Sequence, residues 1–423
     1  MKKTANLIPI IVMFLLFFMI AFVTNFAGSM GVIVKNQFGT SNAVAQLGTL
    51  ANFIAYACMG IPAGIILRRK GYKFTSLLAV TVGFVGVGVQ FLSGYAESFA
   101  VYVAGALVAG FSMCLLNIVV NPMLNTLGGG GNRGNQLIQW GGTINSTGGT
   151  LAPILLGYLI GGAVDNANVS DAAPAMIIAM AIFAVAFLVI SFTPIPEPHL
   201  EAKATQSINQ SSNQAKKYSP LSFRHFMLGA IAIFFYVGVE VGIPNTANLY
   251  MTSSAADGGL ALGANLAGWF IGAYWFLMLC GRFLGGLLGG KVSSKSMLST
   301  AAIIAIAFLL CLILIPTSVT VHLHGADVPL KIVFATLCGL CTSVMWGAVF
   351  NLSTEGLGKY TPMASGIFMT LVCGGGIMPF IQNLIADGVG YVGSYWIVVA
   401  GFAYILFYAL AGSKNVNKDI PVE

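Results

Sequence analysis

The sequence predicts an all-α membrane protein with twelve transmembrane helices in two six-helix bundles. Three observations predict this fold class. Charged residues make up 7% of the 423-residue chain and apolar residues 57%, whereas soluble proteins carry about 25% charged residues. Apolar runs of about 20 residues, the length that crosses a bilayer, recur along the chain. One long polar stretch separates six of these runs from the other six.

The predicted spans follow one another with short connections. They cover residues 7–34, 43–67, 73–94, 98–125, 136–161, 172–194, 224–252, 261–289, 295–316, 329–352, 362–385 and 391–412. The first span lacks a small-residue cleavage site, so we interpret it as a helix and not as a signal peptide. The predicted domains are an N-terminal bundle (1–195), a flexible polar cytoplasmic linker (196–223) and a C-terminal bundle (224–423).

The basic residues predict the orientation. Of the 19 Lys and Arg residues, sixteen fall on the side of the N-terminus, Lys35 and Lys331 fall on the other side, and Arg282 lies within the eighth span. Short basic loops stay in the cytoplasm, so both termini are predicted to be cytoplasmic. We expect a monomer in contact with lipid in a bacterial cytoplasmic membrane. Because the charges serve orientation, nucleic acid is excluded as a partner.

Composition also bears on chemistry. The seven Cys residues all fall in or beside apolar runs and show no metal or disulfide spacing. The predicted spans show no nucleophile–base pair and no metal-ligand set. We therefore predict no enzymatic activity, no metal and no cofactor.

The two halves share short patterns at nearly constant spacing. A glycine-containing helix end and a basic turn follow Gly64 and again Gly286, 222 residues later. The last residues of the fourth predicted span begin with Asn121. Those of the tenth begin with Asn351, 230 residues later. These repeats indicate a duplicated six-helix unit, and duplicated transporters place their substrate site near the bilayer midplane between the repeats.

The turn after the second span resembles the loop signature of the major facilitator superfamily, G-x-L-A-D-R-x-G-R-K. The matching positions are Gly64, Ile66, Arg69, Gly71 and Lys73. The Asp of the signature is replaced by Arg68, so the acidic latch that the family forms there is not expected in its usual form.

A narrower resemblance, to the fucose permease branch of sugar transporters, covers most of the chain. It rests on short stretches at 61–73, 121–122, 145–146, 236–238, 281–283 and 374–377. This resemblance implies a neutral sugar or sugar derivative carried by ion-coupled symport with alternating access. The acids that the branch uses in its first and fourth spans correspond here to Val32 and Asn117, so the coupling site must differ. Glucose/galactose members resemble this chain in the seventh span, where an acid follows Tyr236-Val-Gly-Val.

That acid, Glu240, is the only acidic residue deep within a predicted span, where a charge costs a few kcal/mol. Tyr236 lies one helical turn before it. Pro244 is expected to break the helix and expose carbonyl groups nearby. Three roles remain open: Glu240 binds a proton, it forms a Na⁺ site with carbonyls and Asn245, or it is a protonated group in a structural hydrogen bond.

A sugar site needs amides and hydroxyls for the sugar hydroxyls and aromatic faces for its C–H surface. The candidates in the spans are Asn117, Asn121, Gln139, Asn145, Tyr236, Asn245, Trp275, Trp346, Gln382 and Asn383. Each amide has an alternative role in hydrogen bonds between helices, and each Trp in packing. Arg282 is placed near the cytoplasmic end of its span, so no basic group is expected at the midplane and anionic substrates are excluded.

Four residues are candidates for gating or structural roles: Arg68, Arg69, Arg282 and Glu355. We expect Arg282 to pair with an acid or with helix-end carbonyls, and Glu355 to form an ion pair between the bundles. The principal alternative function is a multidrug or metabolite/H⁺ antiporter of the same fold, which Glu240 would also fit. A more distant alternative is a sugar sensor that does not transport.

Overall fold

The computed structural model describes residues 7–38, 47–159, 168–197, 218–262, 264–323, 325–417 and 419–422. Most of the predicted linker (196–223) therefore lies outside the described residues. Nine stretches of the described chain are long and apolar enough to cross a membrane. Two of them, Leu50–Tyr95 and Gly358–Gly412, are each long enough for two crossings.

The N-terminal half contains six helices in the order of the predicted spans. They are α1 (Leu7–Phe38), α2 and α3 (the parts of Leu47–Tyr95 before and after Gly71), α4 (Phe99–Leu127), α5 (Gly131–Leu159) and α6 (Ala173–Phe192). Gly71 separates α2 from α3 because its φ of 86° is incompatible with a continuous helix. The helix α5 is not among the nine apolar stretches, since it carries several amide and hydroxyl side chains.

The C-terminal half follows the same order. Its helices are α7 (Arg224–Thr252), α8 (Ala264–Leu288), α9 (Ser294–Leu314), α10 (Leu330–Thr354), α11 (from Thr361 to 389) and α12 (from 391 to Phe407). Gly390, with φ of 81°, separates α11 from α12. The pieces Leu330–Thr342 and Met345–Thr354 make up α10, and the 3₁₀ turn Leu371–Cys373 lies within α11. The prediction of an all-α membrane fold is confirmed, and these helices accommodate the twelve predicted spans.

A short antiparallel hairpin adds to the predicted helices. The strands β1 (Thr320–Leu323) and β2 (Ala326–Pro329) pair between α9 and α10, with Val321 opposite Val328. The sequence here alternates β-branched and polar residues, which is a strand pattern, but the segment is too short to separate from a loop by composition. The hairpin leads the chain into Leu330, where α10 begins.

The two halves contact each other closely at the end of the molecule that carries Arg68 and Lys291, and α2 and α11 also meet nearer the opposite end of α2, where a Cβ at Gly376 would lie 3.3 Å from Phe53 Cβ. At the end with Arg68 and Lys291, α2 crosses α11 so closely that a Cβ at Gly64 would lie 3.0 Å from Gly366 Cα. A second crossing joins α5 to α8, where a Cβ at Gly286 would lie 2.7 Å from the Trp140 ring. By the distribution of basic residues this is the predicted cytoplasmic end.

Candidate functional site

The carboxylate of Glu240 lies in the middle of α7 and is held by two side chains. Arg282 Nη2 is 3.1 Å from Glu240 Oε1, and the Tyr236 hydroxyl donates to the same oxygen at 2.7 Å. The carboxylate and guanidinium side chains are only 12% and 13% exposed. A pair so far from water requires good geometry and further hydrogen bonds to offset its desolvation. Tyr236, one turn from Glu240 and fully buried, supplies one of those bonds.

The predicted break in α7 is not present, because the helix continues through Pro244 to Thr252. Proline still removes one N–H, so the carbonyl of Glu240 loses its helical partner. The Tyr274 hydroxyl on α8 donates to that carbonyl at 2.9 Å and replaces the missing bond. Asn245 is exposed and does not join the cluster in this structure. The carbonyl and amide expected to form a Na⁺ site are therefore not assembled.

Arg282 also connects the two halves of the protein. Its Nη1 donates to the Ser146 hydroxyl at 2.7 Å and to Asn145 Oδ1 and the Gly142 carbonyl, both at 3.4 Å. Asn145 in turn donates to the carbonyl of Phe17 on α1 at 2.8 Å. We expected Arg282 near the cytoplasmic end, paired with an acid or with helix-end carbonyls. It pairs with an acid, Glu240, but it lies within the site, so the argument against anionic substrates from a missing basic group was wrong.

A second chain of hydrogen bonds crosses between the halves beside the first. Asn117 donates to the Tyr56 hydroxyl at 2.8 Å, and Asn121 donates to the Asn117 carbonyl at 2.9 Å. The indole N–H of Trp346 on α10 donates to Asn121 Oδ1 at 3.0 Å. These bonds link α2, α4 and α10. Asn117 and Asn121, which the sequence identified as candidate sugar ligands, are buried and already hydrogen-bonded in this conformation.

Aromatic rings connect these two series of hydrogen bonds. The rings of Tyr236 and Trp346 are 6.2 Å apart, and the Trp346 ring is 6.1 Å from Phe368 on α11. Edge-to-face contacts of this kind stabilise a fixed ring orientation. One partly buried aromatic and amide cluster therefore lies against the Glu240–Arg282 pair.

The remaining predicted sugar ligands are distributed more widely. Gln139 donates to the Val344 carbonyl at 2.8 Å, where α10 is interrupted, and so serves contact between the halves. Asn383 accepts from Thr246 at 3.4 Å, and Gln382 is buried with no hydrogen-bond partner for its Nε2 in the described part of the chain. Trp275 is 43% exposed and packs edge-on against Tyr274.

A cavity of about 500 Å³ lies along α8 on the side of Arg282 away from the predicted cytoplasmic end. Its described lining residues are Gly268, Trp269, Gly272, Ala273 and Phe276. At a rise of 1.5 Å per residue, they lie about 9 to 21 Å along the helix from Arg282. Trp269 lines this cavity in the described residues, whereas Trp275, a candidate from the sequence, is not among the lining residues.

The predicted gating residues at the basic end have different surroundings. Arg68 and Arg69 are exposed. Glu355 is exposed too, and no ion pair involves it within the described ranges. The acid that holds the turn after α2 is Glu197, whose carboxylate accepts from the backbone N–H groups of Tyr72 and Lys73 at 2.7 and 2.8 Å.

Three contributors to the site were missed from the sequence: Ser146, Tyr274 and Tyr56. Their hydroxyls lie within or beside apolar spans, where an unpaired polar group is costly. That cost indicates that each hydroxyl must have a hydrogen-bond partner. It does not identify the partner, because a hydroxyl can also bond to the backbone of its own helix. Within the described residues, no three His, Cys, Asp or Glu side chains are grouped as a metal site.

Known proteins resemble this chain in sequence and in fold. The chain is 28% identical over 403 residues to the glucose/galactose transporter of Brucella abortus (biovar 1, strain 9-941), covering 95% of this chain and 93% of that protein. It is 23% identical over 437 residues to the L-fucose-proton symporter of Escherichia coli K12, covering 98% and 95%. Its fold matches FucP in the outward conformation with a TM-score of 0.79 at 21% identity, covering 97% of this chain and 100% of that one.

The family assignment rests on most of the chain. The family model described as Major Facilitator Superfamily matches residues 12–379. This range includes the turn signature at Gly64–Lys73 and both members of the Glu240–Arg282 pair. The expectation drawn from that signature is confirmed: the chain belongs to the major facilitator superfamily and is a membrane transport protein, not an enzyme.

Proposed function

We propose that this protein carries a neutral sugar together with a proton across a bacterial cytoplasmic membrane by alternating access. The observation that supports this most directly is the Glu240–Arg282 pair, a largely buried acid and base at the contact between the two halves. Bacterial relatives named as a glucose/galactose transporter and an L-fucose-proton symporter favour a sugar and a proton. An acid inside a membrane span is costly and is usually retained for function.

Several features favour a proton over Na⁺ as the coupling ion. A Na⁺ site needs several oxygen ligands, and Glu240 Oε1 is occupied by Arg282 and Tyr236. The guanidinium would also repel a second cation. The carbonyl freed by Pro244 is occupied by Tyr274. A proton needs only one carboxylate oxygen and no coordination shell.

Sugar recognition is assigned to the cluster beside this pair. Trp346 and Tyr236 provide ring faces, while Asn145, Gln139 and Asn121 provide groups that both donate and accept hydrogen bonds. In this conformation those amides bond across the halves, so a sugar hydroxyl would replace an existing partner. Exchange of one hydrogen bond for another costs little, which suits a site that must also release its substrate.

The test is uptake of labelled neutral hexoses into proteoliposomes under a proton gradient or a sodium gradient, applied separately. We expect uptake driven by the proton gradient alone. Glu240→Gln should lose driven uptake and retain equilibrium exchange of the sugar. Glu97→Gln, which changes an exposed acid outside the site, is the matched control and should transport normally.

Other outcomes would contradict the proposal in different ways. Uptake driven only by sodium would reject the proton. Failure to carry any neutral sugar, with proton-driven efflux of lipophilic cations, would identify an antiporter instead. Transport by Glu240→Gln that equals the parent in both assays would remove the carboxylate from coupling.

A further inference from the structure

Residues 413–422, which we call the tail segment, fold back across the predicted cytoplasmic end of the C-terminal half. Asn417 Oδ1 accepts from the backbone N–H of Arg224, the first residue of α7, at 3.0 Å. The carbonyl of Val422 accepts from the backbone N–H of Lys359, just before α11, also at 3.0 Å. The tail segment is therefore bonded to two separate parts of the bundle.

The tail segment is also packed against the turn that joins α10 to α11 (residues 355–360). Ile420 is only 9% exposed, and Val422 packs partly buried against the core. Gly358 in the turn has φ of 47°, and a Cβ there would overlap the carbonyl of Val422. Gly356 has φ of 71°, and a Cβ there would lie 3.1 Å from Asn415 Nδ2. The two glycines thus allow the turn and the tail segment to lie in close contact.

The last residues of the linker join the same cluster. Phe223, directly before α7, is fully buried, and its ring is 5.6 Å from the Tyr360 ring and 5.9 Å from the His225 ring. His225 Nε2 lies 3.0 Å from the carbonyl oxygen of Glu355, which can only accept, so this nitrogen donates. The start of α7 and the turn between α10 and α11 are therefore held together both by these rings and by the tail segment.

The turn held in this way leads directly into the crossing of α2 and α11. Tyr360 is followed by Thr361, where α11 begins, and a Cβ at Gly64 of α2 would lie 3.2 Å from the carbonyl oxygen of Pro362. A turn with two left-handed glycines loses much conformational entropy when it is fixed. The crossing leaves no spare room between backbones, so it forms only when α11 begins in one position.

We propose that the tail segment fixes the turn 355–360 in advance and so favours the conformation in which α2 and α11 are closed at the predicted cytoplasmic end. With the tail segment in place, the turn is already ordered before the crossing forms, which is a preorganised contact. Without it, the entropy of the turn is lost again at each closure, and the closed population falls. This inference goes beyond the proposed function, since it concerns a conformational equilibrium that exists with no sugar present.

Two distances between spin labels test the proposal in lipid nanodiscs, in a background lacking the native cysteines. Lys70→Cys with Glu355→Cys reports the crossing, and Lys291→Cys with Glu355→Cys reports the turn within the C-terminal half, because all three residues are exposed. In a variant that ends after Ser413, we expect the second distribution to broaden and the first to shift to longer distances. The ratio of closed to open populations should fall about tenfold, since two hydrogen bonds and a buried aliphatic side chain are lost.

Substitutions in the 423-residue chain separate this effect from a general loss of folding. Asn417→Ala removes the acceptor for the Arg224 N–H, and Ile420→Ser removes the buried side chain. Together they should reproduce most of the effect of the deletion on both distances. Val416→Ser is the matched control, because Val416 is 51% exposed, and it should behave as the parent.

Three results would overturn the inference. Distances equal to those of the parent in the deletion and in the double variant would show that the tail segment does not act on the turn. A broadened turn with an unchanged crossing would show that the turn does not control the crossing. A longer crossing distance with an unchanged turn would assign the effect to another part of the chain. A failure to carry sugar would reject the proposed function alone, because both distances are measured without sugar.

Discussion

The two crossings between the halves are formed by different kinds of contact. At the crossing of α2 and α11 the contact is between backbones: a Cβ at Gly366 would lie 2.6 Å from the Gly60 carbonyl oxygen and 2.7 Å from Gly64 Cα. At the crossing of α5 and α8 it is polar and charged, with Arg282 bonded to Ser146 and Gln136 donating to the Gly286 carbonyl at 3.0 Å. The first depends on shape alone. The second depends also on charge, so only the second can respond to an ion.

The largest effect is expected where the charged crossing loses one partner. Glu240→Leu leaves Arg282 charged and largely buried, and should lower the free energy of unfolding by about 3–5 kcal/mol. Arg282→Leu should cost less, because the remaining carboxylate can neutralise itself by binding a proton. The cost of Arg282→Leu should therefore be smallest at acidic pH and grow as the pH rises.

Thermal unfolding of the purified protein in detergent, followed by tryptophan fluorescence at acidic and alkaline pH, measures both variants. Equal destabilisation by the two substitutions at both pH values would contradict the asymmetry. Asp327→Asn, which removes an exposed partner of His322 on the hairpin, is a control for loss of an ion pair and should have little effect.

The next effect tests the backbone crossing. Gly366→Ala places a methyl group against backbone on both sides, which cannot move aside as a flexible side chain could. Overpacking of this kind costs about 1–3 kcal/mol, so we expect α2 and α11 to separate and driven uptake to fall about tenfold or more.

Gly388→Ala is the matched control, because nothing lies within 4 Å of a Cβ at that position. It should transport as the parent does. If Gly366→Ala left uptake and the spacing of α2 and α11 unchanged, the closeness of this crossing would have no functional consequence.

A smaller effect is expected at the neutral bond beside the charged pair. Trp346→Phe keeps a ring but leaves Asn121 Oδ1 buried without its donor, which costs about 1–3 kcal/mol. Trp346→Phe combined with Asn121→Leu removes both partners and should cost less than the sum of the single changes. Unfolding measurements on the double-mutant cycle give this coupling, and strictly additive losses would mean that the bond contributes nothing.

The smallest effect is expected at the turn between α2 and α3, near the backbone crossing. Gly71 allows this turn with φ of 86°, and Glu197 accepts the N–H groups of Tyr72 and Lys73. Glu197→Gln weakens a charge-assisted bond to a helix N-terminus and should lower stability by about 1 kcal/mol. Sugar uptake should be unaffected. A large loss of uptake would show that this turn takes part in the transport cycle.

Much of the fold could be predicted from the sequence, while the site could be predicted only in part. Spans of the right length and the turn at Gly71 follow from local composition. The break expected at Pro244 was wrong, because Tyr274 replaces the lost hydrogen bond from another helix. The position of Arg282 was misjudged for a similar reason: its partner Glu240 is 42 residues away, and no local pattern connects them.

The candidate sugar ligands were likewise only partly predictable from the sequence. Amides inside apolar helices stand out in the sequence because each must find a hydrogen-bond partner. Their partners could not be read from it, and three of them turned out to bond across the halves: Asn121 to Trp346, Asn145 to Arg282 and Gln139 to Val344. Glu355 was expected to form such a contact and lies exposed instead.

The sequence by itself determined that this chain is a membrane protein of many helices with one acid deep in a span. Those properties follow from hydropathy, from the length that crosses a bilayer and from the cost of charge in lipid, all of which are local. Only the tertiary structure decided that Glu240 faces Arg282 and that Arg282 reaches α5. The helices are apolar on nearly every side, so their sequences do not determine how they rotate against one another, and that rotation brings the pair together.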